Sequence, residues 1–191
     1  CFKFFAFRNS TAYIIDNFPE YKKLDAAYYG LAYCYYEQNQ KDLAQSTFKK
    51  LAKNFPNSIY ANEASMRIGE HYFTTNQFEN AAFVFEAMLK NKDNPYHNVI
   101  LYKLGWTYFS QGDFPNATKV FLSIKRDRGI GDTTTISRGL FNEAMAYVAR
   151  IFSGTSGMLG LLSYFDEHPD KKDYIPILMR FLGDAYKAEE K

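Results

Sequence analysis

The sequence predicts an all-α chain laid out as a solenoid of stacked helical hairpins, and two observations carry that prediction. The first is a pattern that occurs three times. It reads Tyr28, Leu31, Ala32, Tyr35, Ala44, Phe48, Leu51, then Ser65, Ile68, Gly69, Tyr72, Ala81, Phe85, Met88, then Leu101, Leu104, Gly105, Tyr108, Ala117, Phe121, Ile124. The alanines at 44, 81 and 117 give periods of 37 and 36 residues. The second is that no stretch alternates apolar and polar residues over the length of a strand. Repeats of this size form units that bury their apolar faces only against neighbouring units.

Within each unit the early positions recur at i, i+3, i+4 and i+7, one face of a helix. The later trio of alanine, phenylalanine and an aliphatic residue is the face of a second helix. Asn39-Gln40, Asn76-Gln77 and Gln111-Gly112-Asp113 are the polar turns between them. Ala32, Gly69 and Gly105 leave room on the first helices, and Ala44, Ala81 and Ala117 on the second. Phe48, Phe85 and Phe121 are expected to fill the space towards the next unit, each aromatic burying about 150–250 Å².

The elements follow in chain order. Residues 1–23 read as a half repeat, a second helix ended by Phe18-Pro19. Full repeats are expected over 24–58, 59–94 and 95–129. Phe55-Pro56 ends a second helix, because proline disfavours helical geometry in the residue before it. Asn94-Pro95 reads as an N-cap with proline in the first turn, and Asp113-Phe114-Pro115 also places proline there. A loop over 129–135 interrupts the array. A degenerate repeat over 130–172 then carries Leu140, Ala144 and Tyr147 on a long helix, with Gly157–His168 as its partner and Pro169 closing it. Pro176 opens a terminal helix over 173–191 that restores the pattern with Met179, Leu182, Gly183 and Tyr186. The total is about ten helices, half a unit standing at each end. A front half-unit reads as a piece of a longer protein.

Over about Leu24 to Arg128 these residues resemble tetratricopeptide repeats at nearly every signature position. The junction Phe55-Pro56-Asn57-Ser58-Ile59-Tyr60-Ala61-Asn62-Glu63-Ala64, with a period above the usual ~34, is similar to repeats of bacterial cell-envelope proteins. These include outer-membrane assembly lipoproteins and the periplasmic coordinator of the Tol-Pal system. The resemblance implies a right-handed superhelix whose concave face is built from the first helices. It implies protein or peptide binding without chemistry, and a periplasmic or envelope location, the cytoplasm being the other option.

Composition narrows the function classes. A hydrophobic content of 47% is ample for a core, and the 16 Tyr and 18 Phe stand against one Trp. A net charge of +2 gives no pointer to nucleic acid. Lys49, Lys50 and Lys53, and the run Lys125-Arg126-Asp127-Arg128, read as solvated helix faces or last-turn charges. No apolar run approaches the ~18 residues of a membrane span, so no membrane insertion is expected. Cys1 is followed at once by aromatic-rich helical sequence, against a lipidated tether. Cys34 reads as a small buried hydrophobe, and a Cys1–Cys34 disulfide is disfavoured by the hairpin register.

No catalytic constellation emerges, and no enzyme, metal or cofactor is expected. His71, His97 and His168 stand in different units with no carboxylate or cysteine at ligand spacing. Ser153–Gly160 is glycine-rich but follows a helix and lacks the Gly-Lys-Ser/Thr ending of a phosphate loop, so it reads as a helix end and linker. Asn9-Ser10-Thr11 and Asn116-Ala117-Thr118 fall in expected helices, where glycosylation matches are chance.

The resemblance also implies which positions line the concave face: one and four residues after the small residue, and three before it. Here these are Tyr29, Tyr33 and Tyr36, then Met66, Glu70 and Phe73, then Tyr102, Trp106 and Phe109. Phe141, Met145 and Val148 follow in the degenerate unit. A solvated stripe of this composition marks a binding surface for a protein or peptide segment, with Trp106 as its expected anchor. Two alternatives remain: a terminal helix or a second copy folded over the stripe, and a self-assembly module stacking through its end helices.

Overall fold

The computed structural model describes residues 2–92, 94–125 and 135–189, with side chains described over 7–92, 94–125 and 139–188. Among the described residues there are helices and turns and no strand. The chain divides into two compact units, Cys1–Asn94 and Pro95–Lys191. Helices α1 (Phe2–Asn17), α2 (Leu24–Glu37), α3 (Lys41–Asn54), α4 (Ala61–Thr74) and α5 (Phe78–Leu89) make the first. The second holds α6 (His97–Gln111), α7 (Phe114–Phe121), α8 (Thr135–Gly154), α9 (Gly157–Glu167) and α10 (Ile175–Glu189), with a 3₁₀ segment, Pro169–Tyr174, before α10.

Three hairpins, α2–α3, α4–α5 and α6–α7, close in the same way. Asn39, Asn76 and Gly112 adopt φ of 58°, 58° and 76°, a left-handed conformation that asparagine and glycine tolerate best. Each donates its backbone N–H to the carbonyl three residues back, Tyr36, Phe73 and Phe109, at 2.9, 3.0 and 3.0 Å. The next residue reaches the carbonyl five back, Tyr35, Tyr72 or Tyr108, at 2.8–2.9 Å. These bonds satisfy carbonyls that a helix end leaves orphaned. Only the third turn adds a side-chain cap, Asp113 accepting from the Asn116 N–H at 3.2 Å.

The three hairpin alanines are buried: Ala44 at 2%, Ala81 and Ala117 at 0% exposure. Phe48, Phe85 and Phe121 are buried too, worth about 1.5–3 kcal/mol each relative to exposure. The expectation that these rings fill space towards the next unit holds for Phe48, which shares a buried cluster with Ala64 and Ile68 of α4, and is incomplete for the other two. Phe85 and Phe121 lie directly on Gly69 and Gly105 of their own hairpins, where an added Cβ would come within 2.5 Å of a ring carbon. The glycines are there because the ring occupies the volume of a side chain. Phe121 also reaches α8, its ring 6.1 Å from that of Tyr147.

In the first unit the core passes from one hairpin to the next. Ala32, Ala44, Phe48 and Leu51 form one buried cluster with Ala64 and Ile68 of α4. Helix α1 packs on α2 as α3 packs on α4, with the Phe7 ring over Gly30 and Arg8 bonded to Gln38 at 2.8 Å. Cys34 is a buried free thiol. Ser58 ties the hairpins together, its hydroxyl donating to Asp25 at 2.7 Å and accepting from the Tyr60 N–H at 3.1 Å.

A correction concerns Asn94. It does not cap α6, which begins at His97 with Tyr96 as its N-cap residue. Instead Asn94 is buried and its amide donates to Asn62 on α4 at 3.2 Å. The side chain turned inward to a polar partner, and the helix start moved two residues on. Pro176 does stand in the first turn of α10. The loop expected over 129–135 and the cluster at Arg126–Arg128 lie outside the described residues, save Thr135, which starts α8.

Candidate functional site

Residues from α2 and α4 meet on one face of the first unit. The spacing i, i+4, i+7 puts Tyr29, Tyr33 and Tyr36 on one side of α2. On α4 the same spacing aligns Glu63, Arg67 and Glu70. Tyr29 donates its hydroxyl to Glu63 Oε2 at 2.8 Å, and Tyr33 donates to Glu63 Oε1. Arg67 donates from Nε and Nη2 to the Tyr33 hydroxyl at 3.3 and 3.1 Å. Its guanidinium is 3.2 Å from Glu70 and 3.7 Å from Glu63. It also lies 5.6 and 5.7 Å from the Tyr33 and Tyr36 ring centroids, within cation–π range.

The electrostatics follow from the packing. Burial raises the Tyr29 and Tyr33 hydroxyls above their ordinary value, and hydrogen bonding to the Glu63 carboxylate adds to it. For Glu63, burial pushes upward, but the bonds from Tyr33 and Tyr29 and the charge of Arg67 outweigh it and hold the carboxyl below the usual range. The face therefore carries a fixed carboxylate between neutral phenols. Among the described residues, no three side chains of metal-binding type gather, and no helix is long and apolar enough to cross a membrane.

The second unit has an aromatic counterpart. Trp106 of α6 sits 4.3 Å, ring centroid to centroid, from Tyr147 of α8. Phe109 lies 5.6 Å from Trp106, 5.7 Å from Tyr147 and 5.6 Å from Phe114. Tyr102 bonds Glu143, and burial followed by that bond pushes its hydroxyl up to about 12. Trp106, expected as the anchor of a solvated stripe, is part of the contact of α6 with α8. A large indole half-buried among three rings gains more there than in water.

The expected lining residues thus fall into three groups. Tyr36 is exposed at 44%, while Tyr29, Tyr33, Glu70 and Phe73 are half-buried on the first unit's face. Tyr102, Trp106 and Phe109 are half-buried within the aromatic cluster of the second. Met66, Phe141, Met145 and Val148 are buried and offer no surface. In the degenerate unit α10 packs on α8, and Phe141 meets Tyr174 at 6.1 Å. Glu63 and Arg67 were missed, because they lie six and two residues before Gly69, outside the positions the resemblance singles out. Their signal is the Glu-x-x-x-Arg-x-x-Glu spacing on a helix that follows a Tyr-rich one.

Comparison with known proteins agrees with this architecture. Residues 26–58 and 100–127 match the family model of the tetratricopeptide repeat. Two solved structures of TPR-like repeats, from a candidate kinesin light chain of Podosopora anserina, resemble the chain. One, a point mutant, has a TM-score of 0.58 at 12% identity, covering 97% of this chain and 86% of that one. The other has 0.59 at 13%, covering 93% and 84%. A double mutant of MamA RS-1 gives 0.54 at 15%, covering 95% and 88%. No curated protein matches by sequence. The chain is thus an all-α protein whose fold resembles that of tetratricopeptide-like repeats.

Proposed function

We propose that this chain is a non-catalytic scaffold that docks a helical or extended segment of a partner protein on the faces of its first helices. The observation that carries the reading is the α2–α4 face. There Tyr36 is exposed beside Tyr33, Glu63 and Arg67, which hydrogen bonds and ion pairs join into one network. Rigid aromatic side chains on ordered helices supply contact area at low entropic cost. The partner belongs to a bacterial envelope assembly, a context supported by the resemblance of the Phe55–Ala64 junction to envelope repeat proteins. A second reading, self-association through an end helix, is favoured by Phe7 and Tyr13 on α1, exposed at 53% and 59%.

The two readings separate in one experiment. Wild type, Tyr36→Ala and Tyr13→Ala forms are used as bait in the envelope fraction of the producing bacterium, with light scattering of each at rising concentration. Docking on the α2–α4 face predicts that capture fails for Tyr36→Ala and survives in Tyr13→Ala. Concentration-dependent growth abolished by Tyr13→Ala, with capture indifferent to Tyr36→Ala, would replace docking by self-association. Recovery of the chain only from the cytosolic fraction would sink the envelope assignment.

A further inference from the structure

We propose that the α2–α4 face recognises a basic side chain of its partner, and that Arg67 holds that place until the partner arrives. This rests on the docking function above and adds its chemistry. The position occupied by the Arg67 guanidinium has the features of a cation site. Tyr33 and Tyr36 rings stand 5.6 and 5.7 Å from it. Glu63 lies behind, oriented by the Tyr29 and Tyr33 hydroxyls, and Glu70 lies alongside at 3.2 Å. A carboxylate from a partner would meet two carboxylates here, whereas an arginine or lysine would meet the same groups that hold Arg67.

Exchange gives up the two hydrogen bonds from Arg67 to the Tyr33 hydroxyl, which an incoming guanidinium can remake, and the ion pairs beside them. The Arg67 side chain is 33% exposed, and its carboxylate partners Glu63 and Glu70 are 36% and 30% exposed. Ion pairs in such positions contribute little, because water competes for both charges. Arg67 stands on a long flexible stem and can swing outward without moving α4. Glu63 stays fixed by its two tyrosines when the arginine leaves. The carboxylate is thus preorganised for an incoming cation, which lowers the cost of binding it.

The test uses a short acetylated peptide, Ala-Leu-Arg-Ala-Leu-amide, and its citrulline counterpart, which keeps the shape and loses the charge. Arg67→Ala vacates the site and should bind the arginine peptide about tenfold more tightly than the citrulline peptide, as a partly exposed cation–π contact joined to a carboxylate allows. Wild type should show the same preference weakened by internal competition, and adding Glu63→Gln to Arg67→Ala should abolish it. Titration by NMR, following the tyrosine ring resonances, gives the affinities. Should Arg67→Ala lose its helical content, Arg67→Met retains the aliphatic stem and serves in its place. Equal binding of the two peptides, absence of binding, or indifference to Glu63→Gln overturns the proposal. Partner capture that requires Tyr36 but ignores Glu63→Gln would leave the scaffold standing and remove only this inference.

Discussion

Gly69 and Phe85 share one volume: a Cβ on the glycine would lie 2.5 Å from the phenylalanine Cε1. The same relation holds between Gly105 and Phe121. In the first hairpin the equivalent position is Ala32, which sits in the same buried cluster as Phe48. Small and large residues are therefore matched pair by pair in the second and third hairpins.

Gly69→Ala should destabilise the protein even though alanine is the better helix former. The propensity gain is about 1 kcal/mol, while forcing a methyl into a packed core costs about 1–3 kcal/mol, and the Phe85 ring is too deeply buried to retreat. Adding Phe85→Leu should recover part of the loss. Thermal melts of the single and double variants check this, and a higher Tm for Gly69→Ala would refute the close approach.

Ala81 stands at 0% exposure on the second helix of the same hairpin. Ala81→Leu adds three carbons there and should cost about 1–3 kcal/mol by overpacking. Urea unfolding of the whole chain gives the number; an unchanged midpoint would contradict the crossing of α4 and α5 at this residue.

Trp106→Ala should lower stability rather than spare it. Deleting a fully buried Trp costs about 3–5 kcal/mol, and a half-buried one correspondingly less, about 1.5–3 kcal/mol. Because Trp106 is the sole tryptophan, near-ultraviolet dichroism of the wild type reports its contact with Tyr147. Tyr147→Ala should erase that signal, and an unchanged spectrum would count against the contact.

Acid should reveal the Glu63 network. Its folded carboxyl lies below the ordinary Glu value, so its contribution is present above the unfolded value of about 4.3. That contribution is lost as pH falls through the lower folded value. With the side chain about a third exposed, the effect stays within about 1 kcal/mol. Glu63→Gln should melt lower than wild type at neutral pH, and the gap should close towards pH ~3. A gap independent of pH would mean that the ionised carboxylate is not what Tyr29 and Tyr33 hold.

Much of this molecule can be read from its residues, for a definite reason. Helix faces repeat because Ala44, Ala81 and Ala117 must each admit a neighbouring backbone, and a steric demand made three times leaves a periodic trace. The turn residues Asn39, Asn76 and Gly112 leave another, since few residues accept positive φ. Asn94 left no such trace, as its partner Asn62 is distant in sequence and a Pro after an Asn reads as a helix start. The site was half legible. The resemblance singled out the positions of Tyr33 and Tyr36, but the roles of Glu63 and Arg67 depend on side chains of another helix. Phe141 and Met145 looked like lining because register alone cannot report that α10 packs on α8.

The order in which helices pack has a bearing on how the chain comes into being. In the first unit every helix packs on the one next to it in sequence, α1 on α2, α2 on α3, α3 on α4, α4 on α5. Contacts so local carry little loop-closure entropy, which places such folds among the fast ones. A nascent chain can therefore complete α2–α3 while α5 is still being synthesised, the finished hairpin offering α4 a surface to settle on.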